Sequence, residues 1–81
     1  MVISRSGEYR VVVAEDLGAA LKHFRTQQGV SQVKAAQWEG VGQPYISSLE
    51  SGDFGSSLNH ALRLLRLLGC EVTVRRTELN G

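Results

Sequence analysis

Few side chains in this chain could make or break a bond. Histidine occurs twice, as His23 and His60, and cysteine once, as Cys70. Neither histidine has cysteine or carboxylate neighbours at metal-ligand spacing, so both read as structural or surface groups. Cys70 lies in an apolar setting with no histidine motif beside it, which argues against a nucleophile. There is no P-loop, no Gly-x-Ser-x-Gly turn and no pair of carboxylates set for acid–base work. An enzyme is not expected, and no cofactor or metal is implied. Among the polar side chains, the amides and hydroxyls of Gln32, Gln43, Ser47, Ser48 and Ser51 fall in one short stretch. Such groups hold partners by hydrogen bonds.

Short helices must position them. Leu17, Ala20, Leu21 and Phe24 recur with a helical period, placing a first helix at about Ala14 to Gln28. Glu15 and Asp16 sit at its start and Lys22 and Arg25 further on, as the helix dipole favours. A second helix is expected from Gln32 to Glu39 with Ser31 as its N-cap. A third runs from Gln43 to Ser51, with Pro44 in its first turn, where a missing N–H costs nothing. A fourth, Leu58 to Leu68, is capped by Ser57 and carries an apolar stripe of Leu58, Ala61, Leu62, Leu65 and Leu68. Gly29, Gly40, Gly52 and Gly69 follow these four stretches, where glycine takes the left-handed turn that ends a helix. Beyond Gly69 the period changes to two: Cys70, Val72 and Val74 alternate with Glu71, Thr73 and Arg75, predicting a strand. Three consecutive valines make Tyr9 to Val13 a second extended candidate. The organisation is thus an extended segment over 1–13, a helical domain over 14–69, a strand over 70–77 and a tail over 78–81.

At 81 residues, 42% of them hydrophobic and 21% charged, the chain has the make-up of one small globular domain. A net charge of +1 offers no polycation. No apolar run approaches the ~18 residues of a membrane span, and no signal peptide is visible. A single cysteine fits a reducing cytoplasm. A chain this short buries a modest core, so a partner subunit is expected.

The connection Gly40-Val41-Gly42 forces the second and third helices to cross steeply. Ala36 at the crossing lets the backbones approach, while Tyr45, Ile46 and Leu49 turn the third helix inward. Gln43, Pro44, Ser47, Ser48 and Ser51 remain on its outer face. The segments Val30-Ser31-Gln32, Ala35-Ala36, Gly40-Val41, Gln43-Pro44-Tyr45-Ile46-Ser47 and Leu49-Glu50-Ser51-Gly52 together resemble the helix-turn-helix of lambda-repressor-like proteins, the xenobiotic-response-element (XRE) family. The resemblance extends over Leu17 to Gly69. The strand after the fourth helix makes the chain look most like the HipB-type antitoxins of that family. The fold so implied is mainly α: a lambda-repressor-like domain of about four helices plus a C-terminal strand pairing across a dimer.

The resemblance implies that the third helix enters the DNA major groove, with Gln43 reading a base. The chemistry agrees, since a glutamine amide offers a donor and an acceptor that match adenine N6 and N7. Gln32 corresponds to a phosphate-binding position, and Lys34, Pro44, Tyr45, Ser47 and Ser48 complete the expected DNA-contacting set. The implied function is a sequence-specific repressor on a palindromic operator, the antitoxin of a pair that neutralises a HipA-type serine/threonine kinase toxin. The alternative is a protein-interaction module that keeps the shape and has lost DNA binding. In its favour, the window Ala35 to Leu62 has Glu39, Glu50 and Asp53 and no Lys or Arg, a net −3. Leu17 to Lys34 has Lys22, Arg25 and Lys34 and no acid, a net +3. Those three cations read either as a solvated face or as phosphate ligands; Arg75 and Arg76 read as solubilising charges at a strand end.

Two further surfaces are expected. The family usually has large apolar residues near positions 35 and 39, where this chain has Ala35 and Glu39. Val33 and Trp38 are apolar where the helix should face out, so they read as a partner surface, with a half-buried core place the alternative for Trp38. A lone strand cannot satisfy its own backbone, so Val72 and Val74 are expected to pair across a homodimer. Leu64 and Leu67, off the main stripe of the fourth helix, would be covered there.

Overall fold

A computed structural model describes residues 7–74. Four helices account for its regular structure: α1 (Ala14–Gln27), α2 (Gln32–Glu39), α3 (Gln43–Glu50) and α4 (Leu58–Leu67). Each start has its own chemistry. The Asp16 carboxylate reaches back to accept the Val12 and Val13 N–H groups at 2.9 and 3.1 Å, which orders the chain entering α1. These two bonds hold the Asp16 carboxyl below its ordinary range. Ser31 caps α2 by accepting the Lys34 N–H at 3.0 Å. Pro44 occupies the first turn of α3. Ser57 stands at the N-cap position of α4 without capping it; its hydroxyl instead accepts the Tyr45 hydroxyl.

All four helices stop in the same way. The expected glycines lie at φ values of 72°, 69°, 89° and 83° for Gly29, Gly40, Gly52 and Gly69. In each, the following N–H bonds back across the last turn, as from Val41 to the Ala36 carbonyl at 3.0 Å and from Cys70 to Leu65 at 2.8 Å. The turn at Gly40 leaves room for only Val41 and Gly42 before α3, so α2 and α3 pack directly on one another.

The core is one cluster. Leu21, Ile46, Leu49 and Leu64 are its largest fully buried side chains, joined by Ala35, Ala36, Ala61, Leu65 and Leu68. The small residues at 35, 36 and 61 let three backbones converge. The closest approach is between α1 and the end of α3. A Cβ on Gly18 would stand 2.5 Å from the Leu49 carbonyl oxygen and 2.6 Å from that of Glu50.

On α4 the expected Ala61, Leu65 and Leu68 are buried, but Leu64 joins them in place of Leu58 and Leu62. Leu58 is exposed and Leu62 half-buried. A helix this rich in leucine carries two overlapping stripes with valid spacing, and packing against α1 and α2 selects between them. Leu64 is 0% exposed within one chain, so it is a core residue and is removed from the dimer surface; Leu67 is 54% exposed.

The expected strand is absent from its described part. Cys70 to Val74 carry no sheet pairing, and residues 75–77 lie outside the described residues. Val72 and Val74 are exposed. Tyr9 makes an isolated bridge, and Val12 and Val13 bend into α1 rather than extending a strand. Among the described residues neither segment extends into a ladder, and a strand needs a paired neighbour as well as backbone preference.

Candidate nucleic-acid interface

Arg25 falls one turn after Leu21 and is buried, as is Glu50, one turn after Ile46. They meet between α1 and α3. Arg25 Nε donates to Glu50 Oε2 at 2.5 Å, and Nη2 donates to Oε1 at 3.1 Å. Nη1 donates to the Val30 carbonyl at 2.6 Å, closing the α1–α2 turn. Arg25 is therefore neither a solvated charge nor a phosphate ligand. Its fork satisfies a buried carboxylate, the arrangement a buried pair requires.

From Glu50 a chain of amides runs to the surface. Gln32 Nε2 donates to Glu50 Oε1 at 2.9 Å. Gln43 Nε2 donates to Gln32 Oε1 at 2.5 Å. Gln32 is half-buried and Gln43 exposed, so the first residues of α2 and α3 are tied together where both helices face solvent. Pro44, Ser47, Ser48 and Ser51 are exposed on α3, and Ser31 and Lys34 are exposed on α2. Tyr45 is turned back towards α4: it is half-buried, its hydroxyl donates to Ser57, and its ring stands edge-on to His60 at 5.4 Å.

The acidity counted from the sequence is largely internal. Glu50 is matched by Arg25. The Glu39 side chain is 3% exposed and lies 2.5 Å from His60 Nδ1 and 3.1 Å from Arg63 Nε. Glu39 thus takes an apolar residue's place by bringing its own partners from α4. The outer face of α3 is consequently polar and close to neutral, not acidic. Val33 and Trp38 face outward at 54% and 40% exposure. His23 and Phe24 pack against Tyr9, with ring centroids 5.6 and 6.3 Å from it, fastening the entering segment to α1. Burial pushes the Cys70 thiol above its usual range, which lowers its thiolate fraction at neutral pH.

Sequence reasoning paired neither Arg25 with Glu50 nor Glu39 with His60 and Arg63. The signal was present. Arg25 and Glu50 each sit four residues beyond a core residue on their own helices, and a charge on a buried stripe needs a partner.

Residues 16–79 match the family described as a helix-turn-helix domain. The chain belongs to this family. Its α2, short turn and α3 form the lambda-repressor-like helix-turn-helix. A similar protein from Sinorhizobium fredii (strain NBRC 101917 / NGR234), named "Uncharacterized HTH-type transcriptional regulator y4mF", is 31% identical over 65 residues, covering 80% of this chain and 86% of that one. No solved structure matches. No helix among the described residues of this helix-turn-helix domain is long and apolar enough to cross a membrane.

Proposed function

We propose that this protein is a sequence-specific DNA-binding transcriptional regulator whose α3 lies in the major groove. The observation that carries the reading is the Gln43–Gln32–Glu50 chain, which holds an exposed amide rigidly at the start of α3. A fixed amide can discriminate between bases, whereas a freely rotating one would lose entropy on every contact. Gln43 reads adenine through its carbonyl and one N–H. Gln32 keeps a second N–H that can reach a phosphate, beside Lys34 and the N–H groups that open α2. Ser47 and Ser48 lie one turn further along for bases or phosphates, with Pro44 exposed beside them, while Tyr45 anchors α3 against α4 instead of contacting DNA.

The regulator works as a homodimer on a palindromic operator. One α3 of eight residues reads only a few base pairs, and a dyad supplies a second half-site about 10 bp away. Leu67, Val72 and Val74 are exposed on one end of the chain and form the contact between copies. The function is repression of its own operon as the antitoxin of a toxin–antitoxin pair, with a HipA-type kinase toxin held through Val33 and Trp38. Outward placement of these two side chains supports that surface.

The absence of Lys and Arg from α3 favours a second reading, an interaction module without DNA binding. A titration of the intact protein with duplex from upstream of its own gene, repeated over a range of salt, separates the two. Saturable binding that outcompetes random DNA supports the regulator; no specific binding at low salt leaves the interaction module. Co-expression with the neighbouring gene followed by pull-down tests the toxin.

A further inference from the structure

We propose that Glu50 sets which base Gln43 selects, although it lies two hydrogen bonds behind the contact surface. The inference rests on Gln43 being the base-reading residue, as proposed above. Glu50 is buried and receives two N–H donors from Arg25. An ionised carboxylate has acceptor sites only. Any side chain that meets its Oε1 from the solvent side must therefore donate, and Gln32 does so through Nε2 at 2.9 Å. With its nitrogen held there, Gln32 turns its carbonyl towards Gln43, and that carbonyl needs a donor in turn. Gln43 supplies Nε2 at 2.5 Å. The direction of both amides follows from the charge on Glu50, without any need to tell oxygen from nitrogen in either amide.

The consequence reaches the DNA. Gln43 is left with its carbonyl oxygen and one N–H. Adenine presents an acceptor at N7 and a donor at N6, which match them; guanine presents two acceptors at N7 and O6, and O6 would face the Gln43 carbonyl. Were the chain to run the other way, Gln43 would accept from Gln32 and present both N–H groups, and guanine would be accepted. Glu50 is thus a positioning residue for specificity that never touches DNA.

Selection from a pool of randomised duplexes by the intact protein tests this. The wild-type protein should prefer adenine over guanine at one position of each half-site by roughly 5- to 150-fold, and Gln43→Ala should abolish that preference. Glu50→Gln combined with Arg25→Met removes both buried charges and lets the chain run in either direction. In that protein the preference should fall to within about threefold. Arg25→Lys disturbs the same α1–α3 contact but keeps the carboxylate ionised, so overall affinity should drop while the preference stays. If the double variant is unfolded, Gln32→Met serves instead: it frees the Gln43 amide and should relax the same ratio. Full adenine preference in a folded double variant or in Gln32→Met overturns the proposal, as does loss of preference in Arg25→Lys. A folded wild-type protein that selects no sequence overturns the reading of Gln43 and this inference with it, whereas selection with an unchanged ratio overturns this inference alone.

Discussion

Gln43 and Gln32 act as one unit, and their variants should show it. Gln43→Ala should cost about 1–3 kcal/mol on the preferred site and much less on random DNA, measured by anisotropy titration of each. Gln32→Ala should weaken binding to both DNAs and also blunt base preference, because it removes the group that orients Gln43. The buried pair behind them carries stability. Arg25→Ala should destabilise the fold by about 3–5 kcal/mol in chemical denaturation, since it leaves the Glu50 carboxylate buried and unpaired. A loss below about 1 kcal/mol would mean that Glu50 is well solvated. The separate places of Gln32 and Gln43 were legible in the sequence because motif and turn fix them. Their connection was not, because it depends on Glu50, which the sequence shows only as one acid in an acidic window. Counting charge along the chain treats every ionised side chain as exposed, and here Glu39 and Glu50 are both turned inward onto cations.

The elements are held by contacts that leave little slack. Gly18→Ala would press a methyl into the Leu49 and Glu50 carbonyls, which are backbone and cannot turn aside. We expect a loss of about 1–3 kcal/mol in thermal unfolding, with α3 displaced. An unchanged melting temperature would show that α1 and α3 can part without cost. On α4, Leu64→Ala should cost about 2–5 kcal/mol, whereas Leu67→Ala should leave the unfolding of a single chain within about 0.5 kcal/mol of wild type. Equal losses would contradict the stripe. At the start of α1, Asp16 has a depressed pKa because its ionised form accepts two N–H bonds. The stability it adds is therefore present above the ordinary aspartate range and is lost as pH falls through its lowered value. The Val12 and Val13 amide resonances should titrate together in that acidic window, and Asp16→Asn should abolish the titration. Helix positions were legible because glycine stops and a 3.6-residue period agree at every boundary. The face of α4 was not, because leucines at 62, 64, 65, 67 and 68 satisfy more than one stripe. The strand beyond Gly69 depends on more than its own pattern: alternation gives a segment two faces, and the neighbour expected to turn it into a sheet is a second copy of the chain.

As a whole molecule, one chain offers DNA a narrow and nearly neutral face. With Lys22 and Lys34 the exposed cations of α1 and α2 and none on α3, a dimer should release few counterions, giving a shallow slope of log K against log salt, about −4. Sedimentation of the intact protein and of a version stopped after Gly69 tests the dimer. A shift from dimer to monomer on truncation assigns Val72 and Val74 to the contact, and an equally tight truncated dimer removes them. The central claim, that the exposed amide of Gln43 reads a base, is tested most directly by a double-mutant cycle. Wild-type protein and Gln43→Ala are each titrated against the selected duplex and against one with the adenine replaced by guanine at the position Gln43 is assigned. The account predicts a coupling energy of about 1–3 kcal/mol, with the base change costing the wild-type protein and leaving Gln43→Ala almost indifferent. A coupling energy of zero, with the base change costing both proteins equally, would contradict it.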